Sequence, residues 1–262
     1  MELPKEQILF GPGSSSLLYQ LLSFLRPKSV VLPTPCFSEY PHVAHLAGAR
    51  VFEQPAIQDP LPARSCIIVS NPCNPTGRAI PFEDILPWIQ AAKRAEGWMI
   101  VDEAYADFRE NGPEKITSCM LDDYPLIVLR SPLKFFTLPG LRSGMAFLPP
   151  NLAGRFEATI PPWPLSAPAL AATAEALRLT PMEIRDRRRT LRNWADTFQK
   201  ALRSVPQIAV GPSDVHYFLI RLPSDGPDGE ALAQRLAQAG LWIRTSAGMP
   251  GLTPHDIRVS TR

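Results

Sequence analysis

Three short stretches end in side chains that an ordinary protein surface would not require. Asn71-Pro72-Cys73-Asn74-Pro75-Thr76-Gly77 follows the apolar run SCIIVS, Asp102-Glu103-Ala104-Tyr105 follows WMIV, and Ser131-Pro132-Leu133-Lys134 follows LIVLR. An amide, a carboxylate with a phenol, and an amine thus stand at the ends of three apolar segments. Two prolines stiffen the first turn and present Asn74 in a fixed orientation. Lys134 lies among Leu133, Phe135, Phe136 and Leu138, although a charged side chain normally seeks water. An apolar setting favours the uncharged amine, which is a nucleophile and a proton carrier. Taken singly, each stretch has a plain reading: a turn, a helix N-cap at Asp102, or a lysine whose stem lies on apolar surface.

A fourth stretch, Gly11-Pro12-Gly13-Ser14-Ser15-Ser16, opens a helical pattern. Free backbone N–H groups and the helix dipole make such a start attractive to an anion. No Gly-Lys-Ser/Thr follows it and the third glycine of G-x-G-x-x-G is absent, so neither nucleotide fingerprint is met. Arg142 follows Lys134 by eight residues, and Arg258 lies in the strand-like HDIRVSTR.

The elements that must position these residues alternate. A helix is expected after the glycine turn, then a strand over SVVLPTP, a helix over FSEYPHVAHLAGA closed by Gly48, and a strand over ARVFEQ. SCIIVSNP, WMIVDEAY and YPLIVLR read as strands, with a helix over FEDILPWIQAAKRAEG. Continuous apolar strands separated by helices signal a mostly parallel sheet covered on both faces. Ligands of such sheets gather at the carboxyl ends of the strands, where the unusual residues lie. An α/β domain is therefore expected over residues 1–180. Residues 181–262 read as a smaller α+β domain, with a helical stretch bending near Pro181 and then the strands HYFLIRL, LWIRTS and DIRVSTR around the helix GEALAQRLAQAG.

Composition excludes several classes. The chain has 262 residues and a net charge of +2, from 27 basic and 25 acidic side chains. That balance implies no nucleic-acid partner. The run Arg185-Asp186-Arg187-Arg188-Arg189 lies in a helical pattern and reads as a solvated face. Cys36, Cys66, Cys73 and Cys119 form no C-x-x-C pair, which implies free thiols in a reducing compartment. His42 and His45 lack a third ligand, so no metal is expected. No apolar run is long enough for a bilayer, and a cytoplasmic, non-membrane protein is expected.

Together and in this order, NPCNPTG, DEAY and SPLK with Arg142 and Arg258 resemble the fold-type I pyridoxal-phosphate enzymes of the class I/II aminotransferase superfamily. The likeness runs from Ile8 to Arg262. It implies the PLP-transferase fold, with pyridoxal 5'-phosphate as cofactor. Lys134 would then join the cofactor aldehyde as a Schiff base, Asp102 would pair with the pyridine nitrogen, and Asn74 and Tyr105 would bond the ring 3-oxygen. Lys134, Asp102 and Tyr105 would be the catalytic residues. Phe37 would stack on the ring, and Gly13, Ser14, Ser15, Ser131 and Arg142 would hold the phosphate. Arg258 would grip the substrate α-carboxylate, next to Asn74.

Within that superfamily, RSPLKFFTLPGLRSG, PPWPLSAPALAA and WIRTSAGMPGLTPHDIRVSTR are most similar to the branch of threonine-phosphate decarboxylase and histidinol-phosphate aminotransferase. This implies a phosphorylated amino substrate, with Arg244 near its phosphate and Arg262 placed as in that branch. Decarboxylation of L-threonine O-3-phosphate for cobalamin side-chain synthesis is the expected reaction; Tyr105 is more typical of the aminotransferases, the alternative. A homodimer is expected by the same resemblance.

The pattern is departed from in three ways. The chain begins close to the phosphate loop, without the family's N-terminal arm and its tyrosine. It stops soon after Arg258, where a final helix is expected. Ser16 replaces a common acidic residue, and Leu133 a common hydroxyl residue. A complete cofactor set beside a missing substrate lid implies weakened or altered activity.

Overall fold

The computed structural model describes residues 3–113 and 121–261; Cys119 and Arg262 lie outside them. Seven strands form the larger sheet: β1 (Ile8–Gly11), β2 (Ser29–Pro33), β3 (Arg50–Gln54), β4 (Ser65–Ser70), β5 (Trp98–Asp102), β6 (Leu126–Arg130) and β7 (Gly144–Phe147). Their order is β1-β7-β6-β5-β4-β2-β3. Strands β2 to β6 pair in parallel, while β7 runs antiparallel to both β6 and β1.

The apolar runs follow from burial on both faces. Alternate residues of one strand enter different cores: Cys66 and Ile68 pack on one face, Ile67 and Val69 on the other. Helices α1 (Ser14–Leu25) and α2 (Glu39–Leu46) cover the first face through Leu17, Leu21 and Tyr40. Helix α3 (Phe82–Arg94) covers the second through Ile85 and Ile89. Each such fully buried aliphatic side chain stabilises the fold by roughly 1.5–3 kcal/mol. This is the mostly parallel α/β sheet expected from the sequence. The additions are β1 and β7, of four residues each, too few to show a period.

The chain continues through α4 (Pro132–Phe135), α5 (Pro150–Glu157), α6 (Ala167–Arg178) and α7 (Pro181–Arg203). The bend expected near Pro181 is a break between two helices. Thr180 caps α7: the Glu183 backbone N–H donates to its hydroxyl at 3.3 Å, and its own backbone N–H donates to the Glu183 carboxylate at 2.7 Å. Pro181 follows at the first helical position, where its missing N–H is harmless.

A second, antiparallel sheet has the order β10-β11-β9-β8, from β8 (Ala209–Val210), β9 (Tyr217–Arg221), β10 (Arg244–Thr245) and β11 (Asp256–Ser260). Leu202 of α7 and Leu232 of α8 (Gly229–Gln238) pack on its Ile220 and Ile257. The strand expected over LWIRTS shrinks to Arg244 and Thr245, and Trp242 stays 85% exposed.

The basic run on α7 is not uniformly solvated. Arg185, Asp186 and Arg189 are exposed, but Arg187 and Arg188 turn toward the segments that follow β6 and β5 and are half-buried. Arg187 reaches the backbone of Phe135 and Arg188 that of Asp107. A charge pattern alone cannot register carbonyl acceptors brought in by distant segments.

Candidate active site

The carboxyl ends of β4, β5 and β6 point into one cleft. Asn74 arrives from the loop after β4, Asp102 ends β5, Tyr105 follows it, and Lys134 sits on α4 directly after β6. Ser14 and Ser15 of α1, Phe37, Arg244 and Arg258 line the same cleft. Its free volume is about 90 Å³, with Arg258 reaching across to Asn74. A larger hollow of about 620 Å³, lined by Tyr19, Phe24 and Leu46 among others, contains none of these residues. Volume alone would select the wrong place; the chemistry lies in the smaller cleft.

Asn74 is framed by its neighbours. The Asn71 side chain exchanges two hydrogen bonds with the Ile80 backbone, accepting at 2.8 Å and donating at 3.0 Å, and so closes the loop. The Asn74 backbone N–H donates to the Ser70 hydroxyl at 2.9 Å. The Tyr217 hydroxyl donates to Cys73 O at 3.0 Å. The loop is thus tied at three points, and Asn74 Oδ1 accepts from Arg258 at 2.6 Å.

Asp102 accepts from the Tyr40 hydroxyl at 3.0 Å and from the Ala104 backbone N–H at 3.0 Å. Burial raises the Asp102 carboxyl above the usual range; the Lys134 ammonium and these two donors pull it back down. Burial and the Asp102 charge push the Tyr40 phenol well up, so it stays a donor. The carboxylate therefore has one fixed orientation. Lys134 Nζ stands 4.2 Å above the centre of the Tyr105 ring, and Tyr105 packs edge-on against Tyr217 at 4.9 Å. Of the lysine's apolar neighbours, Leu133 and Phe135 are buried and Leu138 is exposed.

Helix α1 begins at Gly13 without any side-chain cap, which leaves its first N–H groups to another acceptor. Gly13 has φ +102°, and a Cβ there would come within 2.8 Å of the Arg142 guanidinium. A Cβ at Gly144 would meet the Ser14 backbone N. These two glycines let the loop, the arginine and β7 meet. Gly13, Arg142 and Ser131 adjoin the cleft without lining it: Ser131 is the buried residue before α4, and its carbonyl accepts from the Lys134 backbone N–H at 3.2 Å. An uncapped helix start beside a guanidinium suits a phosphate, and a held carboxylate suits a pyridine nitrogen. The donor set therefore fits the expected cofactor.

Arg244 and Arg258 occupy directly paired positions of β10 and β11. The Arg258 guanidinium also lies 5.0 Å over the Tyr217 ring. Among the described residues neither arginine has a carboxylate partner.

Comparison with known proteins follows the same residues. A family model, aminotransferase class I and II, matches residues 1–261. The chain belongs to the aminotransferase class I and II family. A histidinol-phosphate aminotransferase of Methanoculleus marisnigri is 31% identical over 242 residues, covering 88% of this chain and 65% of its own. A threonine-phosphate decarboxylase of Salmonella typhimurium is 30% identical over 276 residues, covering 100% of this chain and 74% of its own. The chain thus spans about two thirds to three quarters of these relatives. The crystal structure of L-threonine-O-3-phosphate decarboxylase from Porphyromonas gingivalis matches with TM-score 0.84 at 22% identity, over 99% of this chain and 80% of the other. The mixed sheet is accordingly the fold-type I architecture. No described helix is long and apolar enough to cross a membrane, and no cluster of metal-ligating side chains occurs among the described residues.

Five residues at or beside the cleft escaped the sequence. Tyr40, Ser70 and Met249 line the cleft, Tyr217 holds the Asn74 loop, and His216 sits behind Tyr105. The His216 ring stacks on Phe108 at 3.9 Å. Burial lowers it to about 4, with Arg258 and Lys134 adding to the effect. Tyr40 stands three residues after Phe37, a helical spacing that signals a shared face; nothing local signals Ser70 or His216.

Proposed function

We propose that this chain is a pyridoxal 5'-phosphate enzyme acting on a small phosphorylated amino substrate, by decarboxylation of L-threonine O-3-phosphate. The observation that carries the substrate class is the pairing of Arg244 with Arg258 beside Lys134. Like charges directly opposite one another destabilise a sheet. A dianionic substrate supplies the missing negative charge, with its carboxylate at Arg258 and its phosphate at Arg244.

In this reading Asp102 holds negative charge at the cofactor's ring nitrogen, and Tyr40 and the Ala104 N–H fix its direction. Asn74 and Tyr105 bond the ring 3-oxygen, and Phe37 covers the ring. Ser14, Ser15, Ser131, Gly13 and Arg142 surround the phosphate. The bound cofactor supplies an electron sink for the breaking α-bond. Lys134 Nζ is both the attachment point and the atom that carries the proton. Arg258 and Arg244 orient the substrate, and that orientation decides which α-bond breaks.

The likeness to threonine-phosphate decarboxylases supports loss of the carboxylate. The likeness to histidinol-phosphate aminotransferases supports transamination as the second reading. Purified protein with pyridoxal 5'-phosphate and L-threonine O-3-phosphate is expected to release carbon dioxide. Conversion of histidinol phosphate with an oxo-acid acceptor, without carbon dioxide, would replace the first reading by the second. Turnover of neither would overturn the substrate class.

A further inference from the structure

Helix α4, which carries Lys134, has four residues. So short a helix is marginal by itself. Its Leu133 and Lys134 carbonyls accept from the Leu138 and Thr137 N–H groups at 2.8 and 3.1 Å, and its last carbonyl, that of Phe135, is left to a partner from outside. The Phe135 carbonyl, one residue after Lys134, accepts a hydrogen bond from Arg187 Nε at 2.9 Å. The same guanidinium lies 5.4 Å from the ring centres of both Phe135 and Phe136. Phe135 is buried and meets Phe108 edge-on at 5.4 Å.

The next residue repeats the arrangement on the facing segment. Arg188 Nε donates to Asp107 O at 2.9 Å, and its guanidinium lies 3.6 Å from the Asp107 carboxylate. Asp107 follows Tyr105 by two residues, and Tyr105 is the ring beneath Lys134 Nζ. Both acceptors are reached from one turn of α7, the helix that also packs on the second sheet through Leu202.

We infer that Arg187 and Arg188 are positioning residues for the Lys134–Tyr105 pair: Arg187 clamps the lysine's helix by its last carbonyl and the Phe135–Phe136 rings, and Arg188 clamps the segment after Tyr105. The inference deepens the cofactor reading given above and rests on it. A planar guanidinium can bond a carbonyl and lie against aromatic rings together; an ammonium cannot do both with the same geometry. Arg189, on the same helix, is exposed and among the described residues pairs only with Asp186 at 3.7 Å, so it is the internal control.

The test uses the full chain and pyridoxal 5'-phosphate itself. Wild type, Arg187→Met, Arg187→Lys, Arg188→Met and Arg189→Met are compared by cofactor titration, by visible circular dichroism per bound cofactor, and by melting temperature without cofactor. Arg187→Met is expected to bind about tenfold more weakly, and its dichroism per cofactor to fall because the lysine no longer holds one orientation. Arg187→Lys should recover part of the affinity, Arg188→Met should show a smaller loss of the same kind, and Arg189→Met should match wild type. Arg187→Met with wild-type affinity and dichroism would overturn the inference, even with a lower melting temperature. Should that variant not fold, Arg187→Lys with fully wild-type values would overturn it. A wild-type protein that binds no cofactor at all would instead remove the reading on which the inference rests.

Discussion

The two sheets hold their functional groups in opposite ways. Groups on the larger sheet are fixed by partners already in place: Asp102 by Tyr40 and Ala104, and the Asn74 loop by Asn71, Ser70 and Tyr217. On the second sheet, neither Arg244, which is exposed, nor its neighbour Arg258 has a carboxylate partner among the described residues; Arg258 donates to a neutral amide and lies over the Tyr217 ring. Pre-organised dipoles suit a group that stays bound, because they need no rearrangement as the reaction proceeds. Cations that wait for their anion suit a ligand that comes and goes. On the function proposed above, the contrast places the cofactor at one sheet and the substrate at the other.

The sharpest way to break that contrast is to neutralise the two arginines in turn. Arg258→Gln is expected to raise KM about a hundredfold for phosphorylated and unphosphorylated amino acids alike, the loss of a charged bidentate contact. Arg244→Gln should raise KM only for the phosphorylated one. Cofactor affinity should stay within about twofold in Arg244→Gln. Steady-state kinetics with L-threonine O-3-phosphate and L-threonine would check this, and equal effects on both substrates in both variants would erase the division.

On the larger sheet the corresponding change is Tyr40→Phe. It removes a hydrogen bond to the Asp102 carboxylate and leaves the packing of a fully buried ring intact. Cofactor binding should weaken about tenfold, as for other bonds to charged groups, while KM for substrate moves little. A change in KM alone would place Tyr40 on the substrate side.

The smallest effect concerns stability. His216 titrates near 6.5 when unfolded and near 4 when folded. The unfolded chain therefore binds the extra proton first. The contribution from His216 is complete above about 6.5 and is lost as pH falls toward about 4. Glu103, raised to about 6 by burial against the opposing pull of Arg130, acts in the opposite direction between its unfolded and folded values. A comparison of wild type with His216→Asn cancels the Glu103 contribution. The fall in melting temperature between pH 7 and pH 4.5 should be shallower in the variant, by about 2 kcal/mol or less in stability terms. Parallel curves would show that the imidazole is not held neutral by its site.

How much of this was legible follows from burial. Strands such as SCIIVS and WMIVD announce themselves because both faces are covered, and their ends mark the cleft. Residues fixed to one local motif, such as Asn74, Asp102 and Lys134, could be named from the sequence. Tyr40 carries only its three-residue spacing from Phe37, its partner Asp102 lying 62 positions away; Ser70 and His216, whose partners Asn74 and Phe108 lie 4 and 108 positions away, have no motif of their own. The arginine run on α7 was misread for the same reason: its acceptors are backbone carbonyls at Phe135 and Asp107, 52 and 81 positions away.

The most direct test of the central claim is the visible absorption spectrum of the purified protein with pyridoxal 5'-phosphate, beside Lys134→Ala. A visible band in wild type that is absent from the variant is the expected result, and it would tie the cofactor to Lys134. A band of equal strength in both proteins, or in neither, would contradict the assignment of the cleft at the ends of β4, β5 and β6.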